Sequence, residues 1–175
     1  MALVFRRIDT VFGELLVAVS AAGVCRISFP HEVSGRWLPW FDRYFDMTPR
    51  DENHPWLKRV EMQIQEYFAG ERREFRIPLD LRGPEFHLMV WERLLKIPFG
   101  ETSTYGELAR EFGLRGGARA VGAAAAANPV PILVPCHRLV GNRGRLVGFI
   151  GGLQFKERLL ELEGARIPFG QPASA

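Results

Sequence analysis

The sequence predicts an α+β chain in two parts: a small antiparallel sheet with one helix over residues 1–83, and a mostly helical part over 84–175. Three observations carry that expectation. Short runs rich in Val, Leu, Ile and Phe, with glycine at each junction, fill the first third. Apolar residues recur at helical spacing in the later segments. Gly83-Pro84 interrupts the chain between the two parts, and Pro84 suits the first turn of a new helix.

In order, "LVFRRID", "GELLVAVS" and "GVCRISF" read as a meander of strands. "HPWLKRVEMQIQEYFAG" reads as a helix with Pro55 near its start and Gly70 at its end; Trp56, Val60, Ile64, Tyr67 and Phe68 share one face. The aromatic residues Trp37, Trp40, Tyr44, Trp56 and Tyr67 are assigned to the core. "RREFRIPLDL" is expected to be another strand. "EFHLMVWERLLKI" is a helix with Phe86, Val90, Trp91, Leu94 and Leu95 on its apolar face. "STYGELAREFG" and "GARAVGAAAAAN" form two short helices joined by "GLRG", the helix-turn-helix pattern. "PILVPCHRLVG" follows as an extended or looped segment, "NRGR" as a turn, and "GLQFKERLLELEG" as the last helix, stopped by Gly164. The tail "QPASA" is expected to be disordered.

The composition, 47% hydrophobic and 25% charged over 175 residues, is that of a globular chain with a real core. The start "MALVFRRIDTVFGELL" lacks the charged start and longer apolar stretch of a signal peptide, and no uncharged apolar run reaches the roughly 18 residues that span a bilayer. A cytoplasmic location is expected. Two cysteines, Cys25 and Cys136, are then read as free thiols. With no CxxC and no Cys/His cluster, no metal site is expected.

The net charge of +3 is unevenly spread. Residues 1–83 carry 12 basic and 12 acidic side chains; residues 84–175 carry 11 and 8. Between Phe112 and Lys156 there is no acidic residue, while Arg115, Arg119, Arg138, Arg143, Arg145 and Lys156 fall there. A basic block of this kind points to an anionic partner, nucleic acid first among them; a solvated basic face is the plainer alternative. The second helix of the pair offers Ala120, Val121, Gly122 and then five alanines after Arg119. It has almost nothing with which to read base edges. It is either a tightly packed core helix or one that lies close against DNA without reading sequence.

Within "NPVPILVPCHRLVG", Cys136 stands beside His137 and Arg138. A thiol needs to become a thiolate to act as a nucleophile, and positive neighbours favour that form. Pro129, Pro131 and Pro135 stiffen the loop, and the Asn128 side chain can bond to its backbone. His137 is a candidate base for the thiol, with Glu161 or Glu163 as the carboxylate that orients its ring. Because neighbours in an extended segment point opposite ways, a bridging water between Cys136 and His137 is a plausible link.

"PCHRLV", preceded by "NPVPILV" and followed eleven residues later by "GGLQFKERLLELEG", closely resembles the O6-alkylguanine-DNA alkyltransferases. "GETSTYGELA" and "ARAVG" resemble that family's other signatures, and the match runs from about Gly83 to Gly164 without a gap. The first 82 residues match more loosely. The resemblance implies a ribonuclease H-like N-terminal domain (1–83) and a winged helix-turn-helix-like C-terminal domain (84–175) that binds DNA and carries the active site. It implies a monomeric repair protein that binds double-stranded DNA without sequence preference. Such a protein flips an O6-alkylguanine, and by extension an O4-alkylthymine, into a pocket. It moves the alkyl group irreversibly to its own cysteine, once per molecule and with no cofactor.

Carried over by position, Cys136 is the acceptor, His137 its base through a water, and Glu163 the orienting carboxylate. Asn128 holds the turn. Tyr105 contacts the flipped nucleotide and is the candidate proton donor to the guanine. Arg119 fills the gap in the base stack. Ala120, Gly122, Ala123 and Ala126 lie in the minor groove, and Arg138 belongs to the DNA-contacting set. Ala125, Pro131, Leu139, Phe149 and Ile150 line the guanine pocket.

Phe149 stands where a tyrosine is common and Ile150 where a small or polar residue is; the Ile150 backbone N–H still reaches the guanine oxygen in this reading. His87 replaces a common glutamine. Some relatives carry zinc in the N-terminal domain; Cys25 is alone there, so no zinc is expected. Two other classes fit parts of the pattern: a DNA-binding regulator using only the helix-turn-helix, and a thiol hydrolase using Cys136 and His137.

Overall fold

The computed structural model describes residues 3–11, 13–29, 37–45, 50–51 and 54–165. The tail 171–175 and the side chain of Trp37 lie outside the described residues. The chain divides into two compact units, Met1–Gly83 and Pro84–Ala175. Among the described residues no helix is long and apolar enough to cross a membrane.

The first unit is built on β1 (Val4–Thr10), β2 (Gly13–Val19) and β3 (Val24–Ser28), an antiparallel meander. The central strand β2 is buried along Leu15–Val19, which is why its sequence is continuously apolar rather than alternating. A fourth two-residue strand, β4 (Arg50–Asp51), pairs parallel with β1 and gives the order β3-β2-β1-β4. Helix α1 (Trp37–Phe45), not foreseen from sequence, tolerates Pro39 because that residue falls in its first turn. Helix α2 (Pro55–Phe68) is capped by His54, whose Nδ1 accepts from the Trp56 N–H, and it lies against β1 and β2. Val60, Ile64, Tyr67 and Phe68 are buried as expected, joined by Leu57. Trp40, Tyr44 and Trp56 are only partly buried, so among the described side chains of that set the core assignment holds fully for Tyr67.

"RREFRIPLDL" does not form the expected strand. Pro78 has no N–H to give a ladder, and the segment touches β3 through a single parallel bridge, Val24 to Leu79. Two bonds make that bridge: Val24 N–H to Pro78 O (2.9 Å) and Asp80 N–H to Val24 O (2.8 Å). Gly23 permits the crossing, because a Cβ there would sit 2.2 Å from the Pro78 oxygen.

The second unit opens with α3 (Glu85–Leu94), whose Val90, Trp91 and Leu94 are buried; Leu95, assigned to the same face, is 45% exposed. Helix α4 (Tyr105–Glu111) starts on a capping box in which Thr104 and Glu107 satisfy each other's backbone N–H groups. Helix α5 (Ala118–Ala126) packs on α3 and α4, and the Trp91 indole N–H donates to Ala124 O at 2.8 Å. Small alanines allow this close packing. Strands β5 (Ser103–Thr104) and β6 (Leu139–Val140) form a two-residue parallel ladder, and α6 (Leu153–Leu162) closes the unit. The mixed α+β architecture is the one the sequence predicts.

Candidate active site

Helix α5 ends at Ala126, and the chain turns at once on Asn128, which is 2% exposed. The Asn128 side-chain N–H donates to Val134 O at 2.9 Å, and its Oδ1 accepts the Val130 N–H at 3.0 Å. Val134 N–H in turn donates to Val130 O, and Cys136 N–H to Val134 O at 2.8 Å. Inside this turn Ile132 is buried with φ 77°, a left-handed conformation that costs a β-branched residue about 1–3 kcal/mol. Pro131 forms an isolated bridge with Val134. The turn is therefore held in a tight, strained form by Asn128 at its base.

Within the segment read as extended or looped, Cys136, His137 and Arg138 form one turn of 3-10 helix, so strand alternation does not decide where their side chains point. All three are buried. His137 Nε2 lies 2.8 Å from Glu163 Oε1. Arg138 grips the same carboxylate with two bonds, Nε to Oε2 (2.8 Å) and the Nη2 amine to Oε1 (2.9 Å), and donates a third to Ile97 O. The Gly100 N–H donates to Glu163 Oε2 at 3.2 Å. Gly100 is needed there, since its φ is 80° and a Cβ would come within 3.0 Å of the Glu163 carbonyl oxygen.

Arg138 therefore does not belong on a DNA-facing surface. It is 7% exposed, and its guanidinium is spent on Glu163 and Ile97. Of the two carboxylates left open by the sequence, Glu163 meets His137, while Glu161 is exposed.

Burial alone would raise the Glu163 carboxyl; the hydrogen bonds from His137 and Arg138 outweigh it and hold the group far below the usual carboxylate range. Burial pulls the His137 imidazole down, with Glu163 opposing and Arg138 and Lys156 adding to the fall. A neutral imidazole facing an ionised carboxylate carries its proton on Nε2. That leaves a lone pair on Nδ1, a buried atom with no hydrogen-bond partner among the described residues. Such an orphan costs about 1–3 kcal/mol and marks a group kept for a task.

The β5–β6 ladder pairs Ser103 with Leu139 and Thr104 with Val140, so Tyr105, next in sequence, opens α4 beside the segment that follows Cys136. Its hydroxyl donates to Val147 O at 3.0 Å. Burial, then the charge of Cys136, push that hydroxyl up to about 12. A Cβ on Gly122 would lie 3.8 Å from the Tyr105 ring, so the alanine-rich helix runs past it. Lys156, assigned from sequence to the basic block, is fully buried instead. Its Nζ donates to Val147 O (3.0 Å), Gly148 O (3.3 Å) and the Tyr105 hydroxyl (3.4 Å). The signal that would have found it is periodic: Lys156, Leu159, Leu160 and Glu163 fall at i, i+3, i+4 and i+7, and all four are buried.

Of the remaining expected residues, Ala125, Pro131 and Leu139 are buried. Phe149 and Ile150 are partly buried, and the Phe149 ring stacks on Phe155 at 6.2 Å. Arg119, Ala120, Ala123 and Ala126 are exposed along α5, and Gly122 is half-buried.

The model of the 6-O-methylguanine DNA methyltransferase DNA binding domain matches residues 85–165, and that of the same family's ribonuclease-like domain matches residues 3–81. The chain belongs to this methyltransferase family. A methylated-DNA–protein-cysteine methyltransferase of Mycobacterium leprae is 43% identical over 164 residues, covering 90% of each chain. Its counterpart in Mycobacterium tuberculosis is 54% identical over 106 residues. That match spans 61% of this chain and 64% of the relative, a little under two thirds of the latter's length. The crystal structure of Mycobacterium tuberculosis OGT in complex with DNA superposes with a TM-score of 0.77 at 39% identity, over 91% of this chain and 92% of that one. The Cys136 turn, the Glu163 clamp and the α4–α5 pair all fall within the family's matched DNA binding domain.

Proposed function

We propose that this chain repairs duplex DNA by moving the alkyl group of O6-alkylguanine, and of O4-alkylthymine, onto Cys136. It binds without sequence preference through the minor groove, as a monomer in the cytoplasm. The observation that carries the reading is the His137 ring: Nε2 is tied to Glu163, and Nδ1 is left buried and unpaired next to a cysteine. The 1–83 unit is a scaffold in this reading, and the 84–175 unit holds both the DNA face and the chemistry.

Through a bridging water, the Cys136 thiol gives its proton to His137 Nδ1. Glu163 stabilises the imidazolium that forms. The thiolate attacks the methyl carbon; the S–C bond forms as the C–O6 bond breaks, and the bonding pair leaves with the guanine. Tyr105, whose hydroxyl is held up near 12 and so keeps its proton at neutral pH, donates to the departing base. The thioether has no leaving group, so each molecule acts once.

Reaching a buried thiol requires the base to leave the stack, at a cost of a few kcal/mol. Arg119, exposed near the start of α5, fills the gap, while the exposed Ala120, Ala123 and Ala126 and the half-buried Gly122 let α5 approach the groove closely. Phosphate contacts from Arg115, Arg143 and Arg145, all exposed, offset part of the cost. Ala125, Pro131, Leu139, Phe149 and Ile150 form the pocket wall, and Asn128 keeps the acceptor turn in register.

The test is an intact-mass spectrum after mixing the protein with a duplex carrying one O6-methylguanine. One added methyl per molecule, never more, is expected. Tight lesion binding without mass gain would indicate a recognition protein, and neither would return the regulator reading.

A further inference from the structure

Helix α5 stops where the acceptor turn begins, and one side chain of α3 decides how it stops. In a continuing α-helix the Ala124 carbonyl would accept the N–H of Asn128, four places on. Here its two lone pairs are taken by the Ala127 N–H at 3.2 Å and by the Trp91 indole N–H at 2.8 Å. The Asn128 N–H is left to the Ala125 oxygen, three places back, at 3.2 Å. The last turn is thereby tightened toward 3-10 geometry. Ala124 and Trp91 are 0% and 1% exposed, so water does not stand in for the indole. Pro129 alone would end the helix, because a proline disfavours the α conformation in the residue before it. It does not choose which carbonyl the Asn128 N–H takes.

That choice reaches the nucleophile. The Asn128 side-chain N–H donates to Val134 O at 2.9 Å, and the same oxygen accepts the Cys136 N–H at 2.8 Å. Two carbonyls, each bonded twice, therefore link the indole to the Cys136 backbone: Trp91 to Ala124, then through the last turn to Asn128, Val134 and Cys136. A phenylalanine or leucine could fill the space under α5, but neither has an N–H to give. The His87 ring, one turn back on α3, lies 5.7 Å from that of Trp91 and steadies it. Ala124 is absent from the exposed face of α5, where Ala120, Ala123 and Ala126 stand.

Resting on the alkyltransferase reading, we infer that Trp91 is a positioning residue for the transfer. By occupying the Ala124 carbonyl, it fixes the register in which α5 ends, and so aims Asn128 across the loop that holds Cys136. Without the indole donor, the Ala124 oxygen is open to the Asn128 N–H. The helix can then unwind or extend by one bond, and Asn128 loses its single orientation. The thiol remains present, but it is held less well against the alkyl carbon.

The experiment follows single-turnover methyl uptake at saturating O6-methylguanine duplex, with binding of the same duplex lacking the lesion. Three proteins are compared: wild type, Trp91→Phe, and a chain carrying benzothienylalanine at position 91, whose sulfur replaces the N–H in a ring of the same shape. Because each molecule acts once, the final methyl count measures folded protein and the rate measures placement. Expected for both altered proteins are a full count of one methyl per molecule and an unchanged affinity for unmodified duplex. Their rate should be roughly 10-fold lower, short of the roughly 10²-fold that a larger misplacement costs. A wild-type rate with the sulfur analogue overturns the role, whatever Trp91→Phe does, and the analogue decides alone if Trp91→Phe does not fold. A reduced count at the wild-type rate would assign Trp91 to packing only and overturn the role. Weaker binding of unmodified duplex at an unchanged rate overturns it too, moving the effect to the DNA face of α5. No methyl on the wild type overturns the alkyltransferase reading, and this role with it.

Discussion

Cys25 and Cys136 are both buried, 0% and 4% exposed, yet their surroundings differ in kind. Cys25 sits in β3 within a cluster formed by Leu3, Leu16, Ala18 and Phe41, and its thiol donates to Ala18 O at 3.4 Å. Burial, then the negative charge of Asp80, push that thiol far up its scale. Cys136 sits on a 3-10 turn beside a histidine clamped by a carboxylate, with a tyrosine and a buried lysine close enough to feel its charge. Burial silences a thiol when nothing nearby can take its proton or offset its charge. The same burial, with a base at hand, shields a nucleophile from water.

The sharpest way to break this contrast is to delete each sulfur. Cys136→Ala should gain no methyl in the intact-mass assay. Cys25→Ala should gain one at the wild-type rate, and lose only about 1 kcal/mol of stability, the usual scale of a point substitution. Methyl uptake by Cys136→Ala, or its loss in Cys25→Ala, would reverse the assignment of the two sites.

Next in size is the clamp that makes the Cys136 site different. Glu163→Gln removes the charge shared by His137 and Arg138 and leaves the guanidinium buried without an anion. The cost is about 3–5 kcal/mol, read as a shift in the denaturant midpoint. The pH dependence follows from the shifts. The Glu163 carboxyl is lower in the folded state than unfolded, so its contribution is complete above the unfolded value and is lost as pH falls. The neutral His137 adds to this, because its folded value is also depressed and the unfolded chain takes up the proton first. Wild-type stability should decline on acidification from about pH 6.5 downward. Glu163→Gln should decline less, and parallel slopes would mean that the clamp is not the acid-sensitive element.

How much of this could be read from the chain depends on what each residue answers to. Strands, helices and the helix pair follow from local spacing, and the Cys136-His137 pairing is visible because the two are adjacent. Helix α1 escaped because Pro39 looks like a breaker until its place in the first turn is known. The segment around Pro78 resembles a strand in composition, but its pairing depends on Gly23, far away in sequence. Arg138 and Lys156 were misplaced together for one reason: charge in sequence reads as surface, and only tertiary partners turn it inward. For Arg138 the partner is 25 residues on, and for Lys156 it is the α4 tyrosine and two carbonyls.

That error supplies a third test, on the basic block itself. Arg119→Ala touches an exposed side chain, so stability should hold while repair in duplex DNA falls and the salt dependence of binding shallows by about one ion. Arg138→Ala should do the opposite, lowering stability through the unpaired Glu163 and leaving the salt slope as it was. Equal salt effects from the two would put Arg138 back on the DNA face.

The smallest expected effect lies at the edge of the site. Arg143 is exposed in the turn after β6 and holds φ 58°, a left-handed conformation that glycine adopts freely. Arg143→Gly therefore removes a charge without asking the backbone to move. Relief of the strained conformation and the added freedom of glycine in the unfolded chain oppose each other, so the melting temperature should barely change. What should change is the salt slope of duplex binding, again by about one ion if this turn reaches a phosphate. Methyl uptake from a small free alkylated base, which needs the Cys136 site but no phosphate contact, should stay at the wild-type level. A loss of that uptake would mean that the turn after β6 shapes the acceptor pocket, and that the boundary between chemistry and DNA contact runs on the far side of Arg143.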